Sequence, residues 1–238
     1  MGGGGPRLPA PGGPSPSGDA LAGRWLLALE ALAARAAHAV NNALNGATVN
    51  VEVVRIRARA AADRAGAAPF AEAAAGELER ANALAAALLV LARAPRGQPD
   101  VVETLRQVAA LLGPALEERG VTLRVEPTRE RGTTAAPAHA LRLALVRTLL
   151  ALGDASAGAA VGRGLAAEPG GADSADESVR LLRCTFGLTP TPTVRLDLPD
   201  GVAPGGTPLD AADLDALRGT GVGIRRTDGA FVLDFPAP

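Results

Sequence analysis

A long stretch without proline near the start of the chain is the feature that most limits how this protein can fold. No proline occurs from Arg24 to about Ala65, and good helix formers dominate, so the stretch predicts one helix of about 40 residues, ~60 Å long. Apolar residues recur along it at spacings of three and four and form one narrow stripe: Leu26, Leu29, Ala33, Ala36, Val40, Ala43, Leu44, Ala47, Val51, Val54 and Ala58. Such a stripe is typical of a coiled coil or a four-helix bundle.

A second helix is predicted directly after the first. Gly66 interrupts the pattern, Pro69 suits the first turn of a new helix, and the helix runs to about Ala94. Its apolar face comprises Leu78, Ala81, Leu84, Leu88 and Leu91. Because two helices cannot enclose a core alone, we expect an antiparallel hairpin that pairs with a second copy into a homodimeric four-helix bundle, with Trp25 packing at the end of the dimer.

The first residues of the chain have a different composition. Residues 1–19 are rich in glycine, proline and serine, which predicts a disordered tail. They lack the basic start and the apolar stretch of a secretory signal, and no segment of the chain reaches the roughly 20 apolar residues that span a bilayer. We therefore expect a cytoplasmic protein with no membrane segment.

The second half of the chain mixes helix and strand signals. Helices are predicted at 101–119, 138–153 and 210–218, and strands at 121–125, 178–186, 193–198, 223–226 and 230–235. The predicted fold class is α+β: a helical hairpin over 20–95, followed over 99–238 by an α/β domain whose sheet is covered by helices on one face. The Gly/Ala/Asp-rich segment 153–177 receives no assignment.

Composition excludes several function classes. The net charge is −1 at pH 7, so there is no basic field of the kind that binds nucleic acid or anionic membranes. The single cysteine, Cys184, excludes an internal disulfide, and with the two histidines, His38 and His139, it leaves no cluster for a structural zinc. We interpret Cys184 as a core residue and His139 as incidental.

His38 lies in the middle of the long helix among polar residues. On a helical wheel it falls about 160° from Val40, the centre of the apolar stripe. Three amides and one guanidinium occupy the same half of the helix: Asn41, Asn42, Asn45 and Arg35. An accessible imidazole with hydrogen-bond donors and a positive charge nearby has what a phosphoryl acceptor needs. The alternative interpretation is an ordinary surface histidine beside polar residues.

The string from His38 to Gly46, HAVNNALNG, resembles the phosphoacceptor segment of bacterial sensor histidine kinases and related histidine phosphotransferases. The segment 100–123 resembles the opening of that family's ATP-binding domain, 141–156 its next helix, and 221–236 its last hairpin. The resemblance covers about residues 24–236. It implies a dimerising hairpin that carries the phosphoacceptor His38, with Asn42, Asn41, Asn45 and Arg35 as the surroundings of the phosphoryl group.

The sequence departs from the family at the residues that hold ATP. Where active kinases carry asparagines that hold magnesium and phosphates, this chain has Arg147 and Ala151. The family's Asp-x-Gly-x-Gly segment is missing after the strand at 178–186, and the acidic residue that normally follows the histidine is Ala39. The resemblance therefore implies a degenerate ATP-binding domain that uses no cofactor and holds no metal.

Three functions remain open on the sequence. The first is a histidine phosphotransferase of a two-component phosphorelay, which passes phosphoryl groups between response-regulator receiver domains through His38 while the receiver supplies the magnesium. The second is a non-catalytic pseudokinase scaffold that docks receivers or a sensor kinase, an interpretation that Ala39 favours. An active ATPase with an unfamiliar site is a third possibility, which ATP binding would reveal.

Overall fold

A computed structural model describes residues 16–59, 65–93, 97–128, 130–164, 180–188, 190–199 and 207–238. The chain is α+β, as predicted: a helical N-terminal region precedes a five-stranded mixed sheet. A short 3₁₀ turn at Ala65–Ala67 links the first two helices. The helices are α1 (Pro16–Arg59), α2 (Ala68–Ala92), α3 (Val101–Glu117), α4 (Ala138–Gly164) and α5 (Ala211–Leu217). The strands are β1 (Val121–Val125), β2 (Arg180–Gly187), β3 (Thr193–Asp197), β4 (Gly223–Thr227) and β5 (Ala230–Asp234).

Two helix boundaries differ from the predictions, and for a third, the predicted end of the first helix near Ala65, α1 is described to Arg59 and residues 60–64 lie outside the described residues. Helix α1 begins at Pro16, inside the segment 1–19 that was predicted to be disordered. Proline is tolerated in a first helical turn, and the acidic Asp19 there complements the helix dipole. Residues 1–15 of that predicted tail lie outside the described residues. Helix α4 continues to Gly164 rather than ending near 153, so it takes in part of the segment that received no assignment, whereas 165–179 lie outside the described residues.

The sheet has the strand order β1-β2-β3-β5-β4. Strands β1 and β2 are parallel, joined by a crossover through α4, and the other neighbours are antiparallel. Alternate residues face the helices, so Leu182 and Cys184 on β2, and Val194 and Leu196 on β3, are fully buried. They form one core with α3 and α4.

The hairpin of α1 and α2 packs against the second domain of the same chain. Helix α1 contacts α3, α4 and α5, and α2 contacts α3. The buried face of α1 consists of Leu21, Trp25, Ala28, Leu32, Ala36, Ala39, Ala43 and Ala47. This face is rotated from the predicted stripe, of which Leu26, Leu44 and Val51 remain exposed. Large side chains are buried near the start of this face, at Leu21, Trp25 and Leu32, whereas from Ala36 to Ala47 it consists of alanines, which let neighbouring helices approach closely.

Trp25 does not pack where the sequence predicted. Instead of lying at the end of a dimer, it is buried against α4 of its own chain. Its ring stacks on His139 with centroids 6.4 Å apart, and the Arg142 guanidinium lies 5.9 Å from the indole centroid. His139 is therefore a packing residue. Its burial and the charge of Arg142 lower its pKa.

Candidate functional site

The candidate site centres on His38, halfway along α1. Its side chain is 65% exposed, on the helix surface away from the buried face. A mid-helix backbone is fully hydrogen-bonded, so it holds the Cα of His38 firmly while the imidazole remains accessible to another protein. The helix backbone at this position is rigid, while the reactive ring that it carries is accessible.

Two side chains approach the outer ring nitrogen, Nε2. The Asn42 Nδ2 atom lies 3.4 Å from it, one helical turn along α1. The Glu118 Oε2 atom lies 3.5 Å from it, within ion-pair distance. Asn42 and Glu118 also contact each other, because Asn42 Nδ2 donates a 2.8 Å hydrogen bond to Glu118 Oε1. His38, Asn42 and Glu118 therefore form a triangle that joins the hairpin to the second domain; we call these three residues the His38 triad.

The end of α3 places Glu118 in this triad. Gly120 has φ +72°, a left-handed conformation that suits glycine at the end of a helix, and its N–H donates to the Glu117 carbonyl. The resulting tight turn presents Glu118 toward α1 and Arg119 toward Asp154 of α4. Close packing of α3 on α4 supports the arrangement: a Cβ added at Gly153 would lie 2.3 Å from Leu116 Cδ2, so only glycine fits there without a shift.

A second set of charges lies beside the triad. The Asp154 carboxylate of α4 forms ion pairs with Arg35 of α1, at 3.6 Å, and with Arg119. Arg35 NH1 also donates to the Ala31 carbonyl, at 3.4 Å. Both guanidiniums lie near the His38 triad, but both are directed to Asp154. This network adds a further link between α1 and the second domain.

The structure brings only some of the predicted site residues together. Among the described residues, Asn42 is the only predicted neighbour with a contact to His38. Asn41 and Asn45 are exposed on the same helix, and neither they nor Arg35 form a hydrogen bond or an ion pair with His38. Ala39, which stands where the family has an acid, is buried, so it points away from the imidazole.

Glu118 is the site residue that the sequence did not reveal. It is 80 positions from His38 in the chain, and local patterns do not connect residues so far apart. One weak signal existed: Glu117 and Glu118 stand at the C-terminal end of a helix, where the dipole disfavours negative charge. An acid at that position is better tolerated when a donor faces it, as Asn42 does here.

Arg147 and Ala151, the two residues that the resemblance places at metal-holding asparagines, lie elsewhere, on α4. The Arg147 Nε atom lies 3.5 Å from Oδ2 of Asp213, whose side chain is 3% exposed in α5. Arg24 of α1 donates to Asp213 at 2.7 Å and to Asp210 at 2.6 Å. The Asp213 N–H, together with Arg24, lowers the pKa of Asp210. Two guanidiniums and two carboxylates thus occupy this region.

The remaining chemistry-bearing side chains have structural roles. Cys184 is buried in β2, and burial, with Asp197 nearby, raises the pKa of its thiol to about 12. Across the described residues, no group of three or more His, Cys, Asp or Glu side chains could hold a metal ion. None of the described helices is both long and apolar enough to cross a membrane.

No protein-family model matches the chain, and neither does any curated protein. Similar solved structures include full-length ShkA in complex with AMPPNP, with a TM-score of 0.35 and 21% identity over 87% of this chain. They also include the histidine kinase AdeS of Acinetobacter baumannii, with a TM-score of 0.34 and 10% identity over 79% of this chain and 94% of AdeS. A bacterial phosphotransferase has a TM-score of 0.37 and 19% identity over 87% of this chain and 95% of its own. The chain spans 45% of the length of the ShkA structure.

Proposed function

We propose that this protein is a histidine phosphotransferase, which accepts a phosphoryl group on His38 from the aspartyl phosphate of one receiver domain and passes it to another. The observation that carries the proposal is the exposed, 65% accessible imidazole on a rigid helix, with the amide of Asn42 3.4 Å from Nε2. Nε2 is the ring nitrogen farther from the backbone, so it is the atom that a docked receiver reaches first.

The chemistry needs little from this chain beyond the nucleophile. The Nε2 lone pair attacks phosphorus, an N–P bond forms, and the bond from phosphorus to the receiver's aspartate oxygen breaks, with the electron pair leaving on that carboxylate. The reverse step delivers the group to a second receiver. Asn42 donates a hydrogen bond to a phosphoryl oxygen, and the receiver supplies the magnesium that neutralises the charge.

We also propose that the second domain does not bind ATP and that the chain needs no cofactor of its own. Arg147 stands where the resemblance expects a magnesium-holding asparagine, and its guanidinium is paired with the buried carboxylate of Asp213. A ligand raises the melting temperature only if it binds the folded state. ATP with magnesium, at millimolar concentration, is therefore expected to leave the melting temperature unchanged, and a clear upward shift would contradict this part of the proposal.

The functional form is a homodimer, built through the large apolar side chains that the hairpin leaves exposed. On α1 these include Leu26, Leu44 and Val51, and on α2 Leu78 and Leu89. A row of exposed large apolar side chains along two adjacent helices is unusual on a monomer and typical of an interface. A second copy of the hairpin offers the matching surface for a four-helix bundle.

The test uses phosphorylated receivers. Wild-type protein is incubated with a panel of them and analysed for acid-labile, base-stable phosphate. His38→Ala is expected to abolish the label, with receiver binding retained because the side chain lies outside the buried core. The chain has only two histidines, so His139→Gln is the matched control and should keep the label.

The scaffold is the competing function, and the same experiment separates the two. If wild type and His38→Ala behave identically with every receiver that binds, the protein docks receivers or a sensor kinase without moving phosphate. Asn42→Ala is expected to slow transfer only partly, because the amide orients oxygens without bonding to phosphorus. Arg35→Ala is expected to slow transfer more at low salt than at high salt, as exposed charges are screened.

A further inference from the structure

We propose that Glu118 is a positioning residue that lowers the reactivity of His38 until a partner displaces it. The inference rests on the proposed function, since it assigns regulation to the same imidazole. The observation that carries it is the His38 triad: a carboxylate from the second domain lies 3.5 Å from the nitrogen that is to accept the phosphoryl group.

The carboxylate selects the wrong form of the ring for attack. An ionised carboxylate only accepts hydrogen bonds, so of the two neutral tautomers it favours the one with the hydrogen on Nε2. Asn42 Nδ2, a donor that would favour the other tautomer, donates its 2.8 Å hydrogen bond to Glu118 Oε1 instead. In the neutral ring with the hydrogen on Nε2, the free lone pair is on Nδ1, the nitrogen closer to the helix backbone. Attack on phosphorus through Nε2 needs the opposite tautomer. Glu118 therefore opposes the reaction at the acceptor atom itself.

Glu118 also withholds the other groups that a phosphoryl group needs. Its Oε1 accepts the 2.8 Å hydrogen bond from Asn42, the donor expected to face a phosphoryl oxygen. Its negative charge repels the incoming phosphoryl oxygens, which are negative too. The nearby guanidiniums of Arg35 and Arg119 are both directed to Asp154 rather than to Nε2.

The contact is weak enough for a receiver to break. The His38 side chain is 65% exposed and that of Glu118 45%, and ion pairs this accessible have little strength in water. Glu118 lies on a surface turn next to Gly120 rather than inside a helix. A receiver that docks on α1 can therefore separate Glu118 from His38 at little cost, which couples docking to exposure of the reactive nitrogen.

The test compares Glu118→Gln with Glu117→Gln in the full chain. Both changes remove one negative charge at the exposed end of α3, but only the first touches the His38 triad. The first probe is diethylpyrocarbonate at pH 8, where an ordinary imidazole is neutral. It transfers an ethoxycarbonyl group to a ring nitrogen, with release of ethanol and carbon dioxide. Mass spectrometry of peptides gives the rate at His38, with His139 as the internal reference.

We expect Glu118→Gln to raise the labelling rate of His38 about two- to fivefold, the range for an exposed ion pair, and Glu117→Gln to leave it unchanged. An unchanged or lower rate in Glu118→Gln would overturn the inference, as would an equal rise in both variants. This readout does not require that the protein transfer phosphate.

The second probe is potassium phosphoramidate, which tests the link to phosphoryl transfer. Nε2 attacks phosphorus, the P–N bond of the donor breaks, and ammonia leaves. Glu118→Gln should be phosphorylated faster than wild type by a similar factor, and slower phosphorylation would show that Glu118 assists rather than blocks. If labelling by diethylpyrocarbonate rises while no variant accepts phosphate from phosphoramidate or from any receiver, Glu118 does restrain His38 and the proposed function fails. If wild type accepts phosphate and Glu118→Gln changes neither rate, the function stands and the role of Glu118 is refuted.

Discussion

Asp213 is expected to be the most important single charge for attaching the hairpin to the second domain. Its side chain, 3% exposed in α5, accepts a hydrogen bond from Arg24 of α1 at 2.7 Å and lies 3.5 Å from Arg147 of α4. The carboxylate thus connects three helices. Asp213→Ala removes the carboxylate from Arg147, while Arg24 keeps only its ion pair with Asp210.

The size of the effect follows from how far the arginines are buried. Breaking a fully buried ion pair by removing one partner costs about 3–5 kcal/mol. The Arg24 and Arg147 side chains are 22% and 24% exposed, so water can reach them in part after the change. We therefore expect Asp213→Ala to lower the free energy of unfolding by about 2–3 kcal/mol. At about 2–4 °C per kcal/mol for a chain of this size, the melting temperature falls by about 4–12 °C.

Asp215→Ala is the matched control. It makes the same substitution two residues later in the same helix, at a side chain that is 71% exposed and pairs with an 82% exposed Arg218. Its effect should stay below about 0.5 kcal/mol. Urea unfolding followed by circular dichroism gives both values. If the two variants agree within error, the attraction in the Asp213 cluster only balances the cost of burying its charges, and the reasoning is refuted.

Three further predictions concern assembly, pH and the backbone. Leu44→Asp should dissociate the proposed dimer without unfolding the chain, because Leu44 is 42% exposed in the single chain. Val49 lies about three turns beyond His38 on the same side of α1, so Val49→Asp should not change the mass measured by light scattering. If both variants dissociate, or if neither variant does, the proposed interface is contradicted. Burial and a neighbouring guanidinium lower the pKa of His139, so its contribution to stability is complete above about pH 6.5 and is lost as the pH falls through the range below that value. Calorimetry from pH 7.5 to 5.5 should show a larger fall in melting temperature for wild type than for His139→Gln, and equal falls would refute the assignment. Gly76 is exposed inside α2, and a Cβ added there would meet nothing within 4 Å, so alanine there should stabilise by about 0.5–1 kcal/mol. Alanine at Gly120, with φ +72°, should destabilise by about 1 kcal/mol. If both glycine-to-alanine changes shift the free energy of unfolding in urea in the same direction, this pair of predictions is contradicted.

Local signals were sufficient to predict the elements of secondary structure. The proline-free stretch predicted a helix that the structure gives as Pro16–Arg59, and Pro69 marked the first turn of α2. The predicted helix at 101–119 and the strand at 121–125 correspond to α3 and β1, and the residue between them, Gly120, has the positive φ that suits glycine. Each of these signals acts through the backbone of its own neighbourhood, so no distant contact is needed to read it.

The boundaries that failed lack such signals. The extension of α4 past residue 153 runs through alanine and glycine, which have no apolar periodicity. The start of α1 at Pro16 lies in a segment whose composition is typical of disorder. In both places the position of the helix end depends on the weak helix propensities of single residues, and the pattern of apolar side chains does not reveal it.

The sequence by itself determined the fold class, the long helix that carries His38 and the exposure of that side chain. Only the tertiary structure decided which face of α1 is buried, because both faces are apolar and the choice fell on the alanine face that fits closely against α3 and α4. Likewise, only the tertiary structure brought Glu118 to His38. That contact depends on how α3 packs against α1, and packing between distant segments is set by the shapes of whole surfaces, which no local pattern in the chain encodes.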